Sequence, residues 1–231
     1  MKQKIFILPL ALFMFVSNCS KDKDKDDDKQ LTGFNDSCTP VTYSGLDISI
    51  DGDISSEIDP QSTQFADYLT CIQNCSESNP DDPDCLMNCL GLLGVVPAGG
   101  AFSLTVQITN TTGSEITYVL EPGDWFEPGT SDYQPMMTPV NISEVIDAGE
   151  TVTLVIPVYC LASEKSAPDD ESEYTMCDMV SSGSCLSEIV AILETKDVSS
   201  FSFAQSFQVQ QIIWNCTEGN EIDWDYLNSL P

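Results

Sequence analysis

The sequence predicts an α+β fold in which a disulfide-stapled helical hairpin precedes a β-sandwich-like domain with one or two packed helices. Three observations predict it. Cysteines at 71, 75, 85 and 89 form two C-x3-C pairs, and an i,i+4 spacing puts both members of a pair on one face of a helix. From Phe102 the apolar period becomes two, with Phe102, Leu104, Val106 and Ile108 alternating with Ser103, Thr105, Gln107 and Thr109, the mark of a half-buried strand. Beyond Cys185 the period lengthens again: Leu186, Ile189, Val190 and Leu193 share one helical face, and Phe203, Phe207 and Trp214 are spaced by four and seven.

The chain divides into segments 1–18, 19–30, 31–97 and 98–231. Met1 to Lys4 carry two Lys, and Ile5 to Val16 are apolar for twelve residues, too short for a bilayer that needs roughly 20 but long enough for a secretion signal. Val16-Ser17-Asn18-Cys19 closes that run, and Ser20 to Lys29 follow as a Lys/Asp stretch without an apolar residue, which reads as a solvated tether. These residues resemble the signal peptide and lipobox of bacterial lipoproteins, with Asn18 standing where Gly, Ala or Ser is usual. The Lys/Asp run resembles the export signal of surface lipoproteins in Bacteroidota-type bacteria. The resemblance implies lipid on Cys19, an outer-membrane anchor and exposure at the cell surface. A secreted protein with an ordinary signal peptidase site is the other reading.

In segment 31–97, Leu46, Ile48 and Ile50 alternate with Asp47, Ser49 and Asp51 before Asp51-Gly52, which predicts a strand entering a turn. The same residues follow the first half of a calcium loop, with Asp47, Ser49, Asp51 and Asp53 at the ligand positions and Gly52 at the sixth. Its twelfth position is Ile58, with Glu57 one residue early. Next come the hairpin helices, the first supported by Phe65, Tyr68, Leu69 and Ile72 and the second by Leu86, Leu90 and Leu93. Antiparallel packing of the two arms joins Cys71 to Cys89 and Cys75 to Cys85. The arrangement looks like the twin C-x3-C hairpin of small exported modules. A four-thiolate metal site is the competing reading, although zinc ribbons favour C-x2-C and a reducing compartment.

Pro97-Ala98-Gly99-Gly100 breaks the chain before segment 98–231. After the strand at Phe102, the turn Asn110-Thr111-Thr112-Gly113 leads into Ile116, Tyr118 and Leu120. Thr151 to Tyr159 forms a third strand behind Asp147-Ala148-Gly149-Glu150. This stretch resembles an uncharacterised extracellular β-sandwich module of bacteria, in Asn110 to Thr117, Pro122 to Phe126, Asp147 to Leu154 and Tyr159-Cys160; the resemblance brings no catalytic residue. Ala162 to Tyr174 reads as an acidic loop. Ser184 is placed to cap a helix over Leu186 to Leu193, and a second helix follows over Phe201 to Asn215. If Cys19 is lipidated, nine of the ten Cys remain; the five outside the hairpin allow fifteen pairings with one left over, among which we favour Cys177 with Cys185 and Cys160 with Cys216, leaving Cys38 odd.

Charge narrows the function. The net charge is −29, and from Leu31 onward 32 acidic side chains face only Lys165 and Lys196. Such a surface cannot neutralise phosphates, which excludes nucleic acid as a partner. The chain has no His and no Arg, hence no imidazole base or ligand and no bidentate anion clamp. No cofactor motif is present, and calcium is the one ion the pattern around Asp47 suits. The most site-like stretch is Glu121 to Tyr133, where Trp125, Phe126 and Tyr133 stand among Asp124, Glu127 and other acids. Aromatic rings stack on sugars while carboxylates accept hydrogen bonds from their hydroxyls, so a glycan site fits here; the favoured reading has Trp125 and Phe126 folded back to plug the end of the sandwich. Asp223-Trp224-Asp225-Tyr226 repeats that ambiguity. These features predict a surface lipoprotein acting as a binding or interaction module with a glycan or envelope-protein partner. The alternatives are an accessory subunit of an outer-membrane complex and a carboxylate-dependent hydrolase.

Overall fold

The computed structural model describes residues 38–53, 63–78, 85, 89, 100–168, 172–180 and 183–231. The segments expected to be a signal peptide and a tether, Cys19, and most of the expected second hairpin arm lie outside the described residues. What is described is α+β, with a mostly antiparallel sheet of barrel-like or sandwich-like form.

In chain order the elements are β1 (Leu46–Asp53), α1 (Thr63–Ser78), β2 (Phe102–Asn110), β3 (Ile116–Leu120), β4 (Trp125–Pro128), β5 (Met136–Met137), β6 (Ile142–Ile146), β7 (Thr151–Cys160), β8 (Tyr174–Cys177), α2 (Cys185–Leu193), α3 (Phe203–Glu218) and α4 (Trp224–Ser229). Six strands form one sheet in the order β1-β2-β7-β5-β4-β8, and β3 pairs with β6 separately. The outer strands meet again: Gly52 N donates to Ser172 O at 2.7 Å, and Asp51 bridges Glu173.

The sheet has two differently covered halves. In β1, β2 and the start of β7 one face is buried and the other is wet, with Leu104, Val106 and Ile108 fully buried while Gln107 and Thr153 are exposed. In β4, β5, β8 and the end of β7 both faces are buried, so neighbours along the chain enter opposite cores. Trp125, Met137, Tyr159 and Cys177 pack toward α2, α3 and α4, whereas Phe126, Met136, Val158 and Met176 pack with Tyr118, Leu120 and Ile146 of the β3-β6 pair. The helices are set by ordinary end signals. Ser184 Oγ accepts from Ser187 N at the start of α2, Ser202 and Gln205 form a capping box on α3, and Gly219 closes α3 at φ 73°.

Buried amides finish the polar accounting. Gln210 of α3 reaches the last residue of β7, accepting from Cys160 N and donating to Cys160 O, both at 2.7 Å. Asn110 is fully buried and ties its turn to β6, donating to Ser114 O and Ile146 O while accepting from Thr112 N. The short turn motifs are therefore structural.

Several expectations are corrected. Residues 38–53, assigned with the hairpin to segment 31–97, belong to the sheet, because β1 pairs with β2 from Leu46↔Asn110 to Asp53↔Ser103. The chain that carries α1 and the twin C-x3-C pairs thus runs between two neighbouring strands. Asp47, Ser49, Asp51 and Asp53 lie on an extended strand, which spreads alternate residues along its length instead of curling them around one ion. The disulfides are Cys38–Cys177, Cys71–Cys89, Cys75–Cys85 and Cys185–Cys216. Cys177–Cys185 and Cys160–Cys216 do not form. Cys177 ends β8 beside the bridge to Pro40, which brings Cys38 within a Cα distance of 5.2 Å, whereas Cys185 opens α2 against α3. Cys160 is a fully buried thiol at the end of β7.

Candidate functional site

Glu121-Pro122-Gly123-Asp124 makes a tight turn between β3 and β4. Asp124 N donates to Glu121 O at 3.1 Å, and Gly123 sits at φ 92° after Pro122, the residue choice of a type II turn. A Cβ at Gly123 would also lie 3.3 Å from Val190 of α2. The turn is fastened on both sides: Gly123 N donates to Thr138 O, Thr138 N to Asp124 O and Val180 N to Gly123 O. It fixes one carboxylate, since Asp124 is 8% exposed and its Oδ2 accepts from Glu121 N at 2.8 Å.

Residues 38–43 supply the facing wall. Cys38–Cys177 clips them to β8, Val41 N donates to Met176 O at 3.0 Å, and Asp178 N donates to Thr39 O at 3.3 Å. The Tyr43 hydroxyl donates to Val119 O at 2.6 Å, and its ring lies 5.1 Å from that of Tyr118. Between these parts is a cavity of about 480 Å³ lined by Val41, Tyr43, Val119, Glu121, Asp124, Met176, Asp178 and Met179. Its walls are apolar, its charged groups are all carboxylates, and no Lys lines it.

Burial pushes the Asp124 carboxyl up to about 6; Glu121 and Asp178 add to the rise, and the Glu121 backbone N–H opposes it. Tyr43 is raised by burial and then by Asp124 and Glu121. Both shifts come first from burial, and the neighbouring negative charges, without a counter-ion, add to it.

Of the five residues expected to bind ligand, only Asp124 lines this cavity. Trp125 is 2% exposed and Phe126 fully buried, so their ring faces are taken by protein and neither is a stacking platform for a sugar. Glu127 is half-buried on β4, and Tyr133 is half-buried with a bridge to Ser166. In the C-terminal cluster, Asp223 caps α4 through Tyr226 N, while Trp224 and Tyr226 pack on the helical core. Tyr43, Val41 and Asp178 were missed, because nothing local marks residues 39–43 as neighbours of residues 176–179.

Among the described residues, the one group of three or more potential metal ligands with converging atoms is Cys71, Cys75 and Cys89, all in disulfides. No helix among the described residues is long and apolar enough to cross a membrane. What fold and site define is a disulfide-stapled α+β domain with an acidic, apolar-walled cavity. No family profile, no curated protein and no solved structure matches the chain.

Proposed function

We propose that this chain is a lipid-anchored binding module of the bacterial cell surface, held to the outer membrane through Cys19 and carried outward by the tether of residues 19–30. The observation that supports binding is the cavity beside Asp124: its wall is braced covalently by Cys38–Cys177, and it gathers three carboxylates around apolar side chains. The four disulfides among the described residues suit an oxidising compartment, in keeping with export. The partner is an envelope component or a free ligand, and service as an accessory subunit of an outer-membrane complex is the form this takes if the partner is stoichiometric.

Two measurements on intact native cells test the reading. Cys19→Ala should release the chain from the membrane fraction, and surface proteolysis should remove the unaltered protein. Cross-linking and affinity capture, with calcium and then with a chelator, should return a partner. Retention of Cys19→Ala in the membrane, or full protection from protease, would contradict the proposal.

One observation favours the hydrolase alternative: Asp124, raised to about 6, stands near two other carboxylates, the pattern of an acid-base pair. Purified protein tested on aryl glycosides should be inactive on the binding reading; a bell-shaped pH profile lost in Asp124→Asn would establish catalysis.

A further inference from the structure

We propose that the twin C-x3-C pairs form a thiol–disulfide relay, which oxidises two thiols to a disulfide and passes the exchange from Cys71 to Cys85 through the two buried sulfurs between them. The proposal is independent of the cavity beside Asp124, and either can fail without the other.

Three observations carry it. The first is a contact between two bonds: Cys75 Sγ and Cys89 Sγ, which belong to different disulfides, lie 3.4 Å apart. Closing that gap to a bond of about 2.04 Å takes a movement of about 1.4 Å, within reach of a side-chain torsion. The second is the order of burial. Cys71 and Cys85 are half-buried, whereas Cys75 is 3% exposed and Cys89 fully buried. Exchange depends on access, so a thiol in solution meets the outer sulfurs while the inner two react with each other. The third is the spread of the four. The sulfurs of Cys71, Cys75 and Cys89 lie within 4.8 Å of one another, and that of Cys85 stands outside the set. A structural zinc needs four ligands, each thiolate at about 2.3 Å from the ion, and these four do not close on one point. Exchange asks only that a thiolate touch a disulfide sulfur.

The electrons balance with a thiol RSH as the reductant. Its thiolate attacks Cys71 Sγ, forming a mixed disulfide and expelling Cys89 as thiolate. Cys89 Sγ bonds to Cys75 Sγ as the Cys75–Cys85 bond breaks, and Cys85 leaves as thiolate. A second RS⁻ attacks the mixed disulfide, giving RSSR and freeing Cys71. Two thiols are oxidised, one of the two disulfides is reduced, the thiol protons end on Cys71 and Cys85, and the bond that remains joins Cys75 to Cys89.

The full chain is treated with limiting 2-mercaptoethanol at about pH 8, where an ordinary thiol is partly ionised. It is then quenched with acid and labelled with N-ethylmaleimide, and its disulfides are mapped by mass spectrometry. The main partly reduced species should carry label on Cys71 and Cys85 and a new Cys75–Cys89 bond. In Cys71→Ser, without any reductant, the Cys89 thiol should attack Cys75, so that label divides between Cys89 and Cys85 within minutes, the fast end of uncatalysed rearrangement. If Cys71→Ser does not fold, the first measurement, made on the unaltered chain, decides alone. Absence of a Cys75–Cys89 bond after partial reduction overturns the proposal, as does label confined to Cys89 in the folded variant; the pairs would then be staples only.

Discussion

In the body of the domain, two apolar cores lie on either side of one sheet, and residues from strands far apart in sequence fill both. Among the described residues, the cluster around the twin C-x3-C pairs has Tyr68, Cys75 and Cys89 buried and Cys71, Ile72 and Cys85 half-buried, and Leu69 of α1 is 39% exposed. A lone 16-residue helix such as α1 is marginal in water. Its two disulfides close loops of 18 and 10 residues, each stabilising by about 3 kcal/mol on the chain-entropy account. The body is held by burial, and α1 is tied covalently to Cys85 and Cys89. The insertion is tolerated because β1 and β2 are already neighbours in the sheet.

The sharpest way to break this comparison is to remove the bonds from one side only. Replacing Cys71, Cys75, Cys85 and Cys89 together with Ser should abolish protection of α1 amides in hydrogen exchange while leaving β2 and β7 protected. Loss of protection throughout would show that the body depends on the hairpin. Trp125→Ala acts in the opposite direction. It empties a site in the helical core and should lower global stability by about 3–5 kcal/mol, read by denaturant unfolding, with the hairpin unaffected. A surface platform would cost almost nothing there.

Cys38→Ser comes next. This bond spans 139 residues, and its loss should cost about 2–5 kcal/mol, loosening the wall that carries Val41 and Tyr43. Hydrogen exchange at Val41 should rise several-fold more than at Leu104. The smallest effect belongs to Asp124. Its folded value is raised to about 6 from about 3.9 in an unfolded chain, so between roughly pH 4 and 6 the native state holds the extra proton. Stability contributed by this group is therefore present at low pH and lost as pH rises through about 6. After solvent screening the swing is about 1 kcal/mol. It should appear as a difference between the pH-stability curves of the parent and Asp124→Asn, flat outside that window.

Where one face of the sheet is wet, the sequence was readable. Alternation in β2 and β7 marked the strands, and Ser184 marked the start of α2. Where both faces are buried, Trp125-Phe126 and Met136-Met137 are short apolar pairs without alternation, and Tyr174 to Cys177 is only four residues long, so nothing local distinguishes them from loops. The disulfides divide the same way. An i,i+4 spacing carries geometry, so the hairpin pairs were derivable, but Cys38–Cys177 depends on a sheet whose two outer strands meet. The candidate site was half legible: the acids of Glu121 to Tyr133 indicated the turn that holds Asp124, while the facing wall lies some eighty residues upstream of it and required the fold.

The central claim, that the acidic cavity is where this protein meets its partner, is tested most directly by cross-linking capture from intact native cells with the parent chain and with a double variant, Asp124→Asn and Asp178→Asn. Both should reach the surface in equal amounts, and the parent should retain a stoichiometric partner or ligand that the double variant loses. Identical capture by the two proteins would place the binding surface elsewhere.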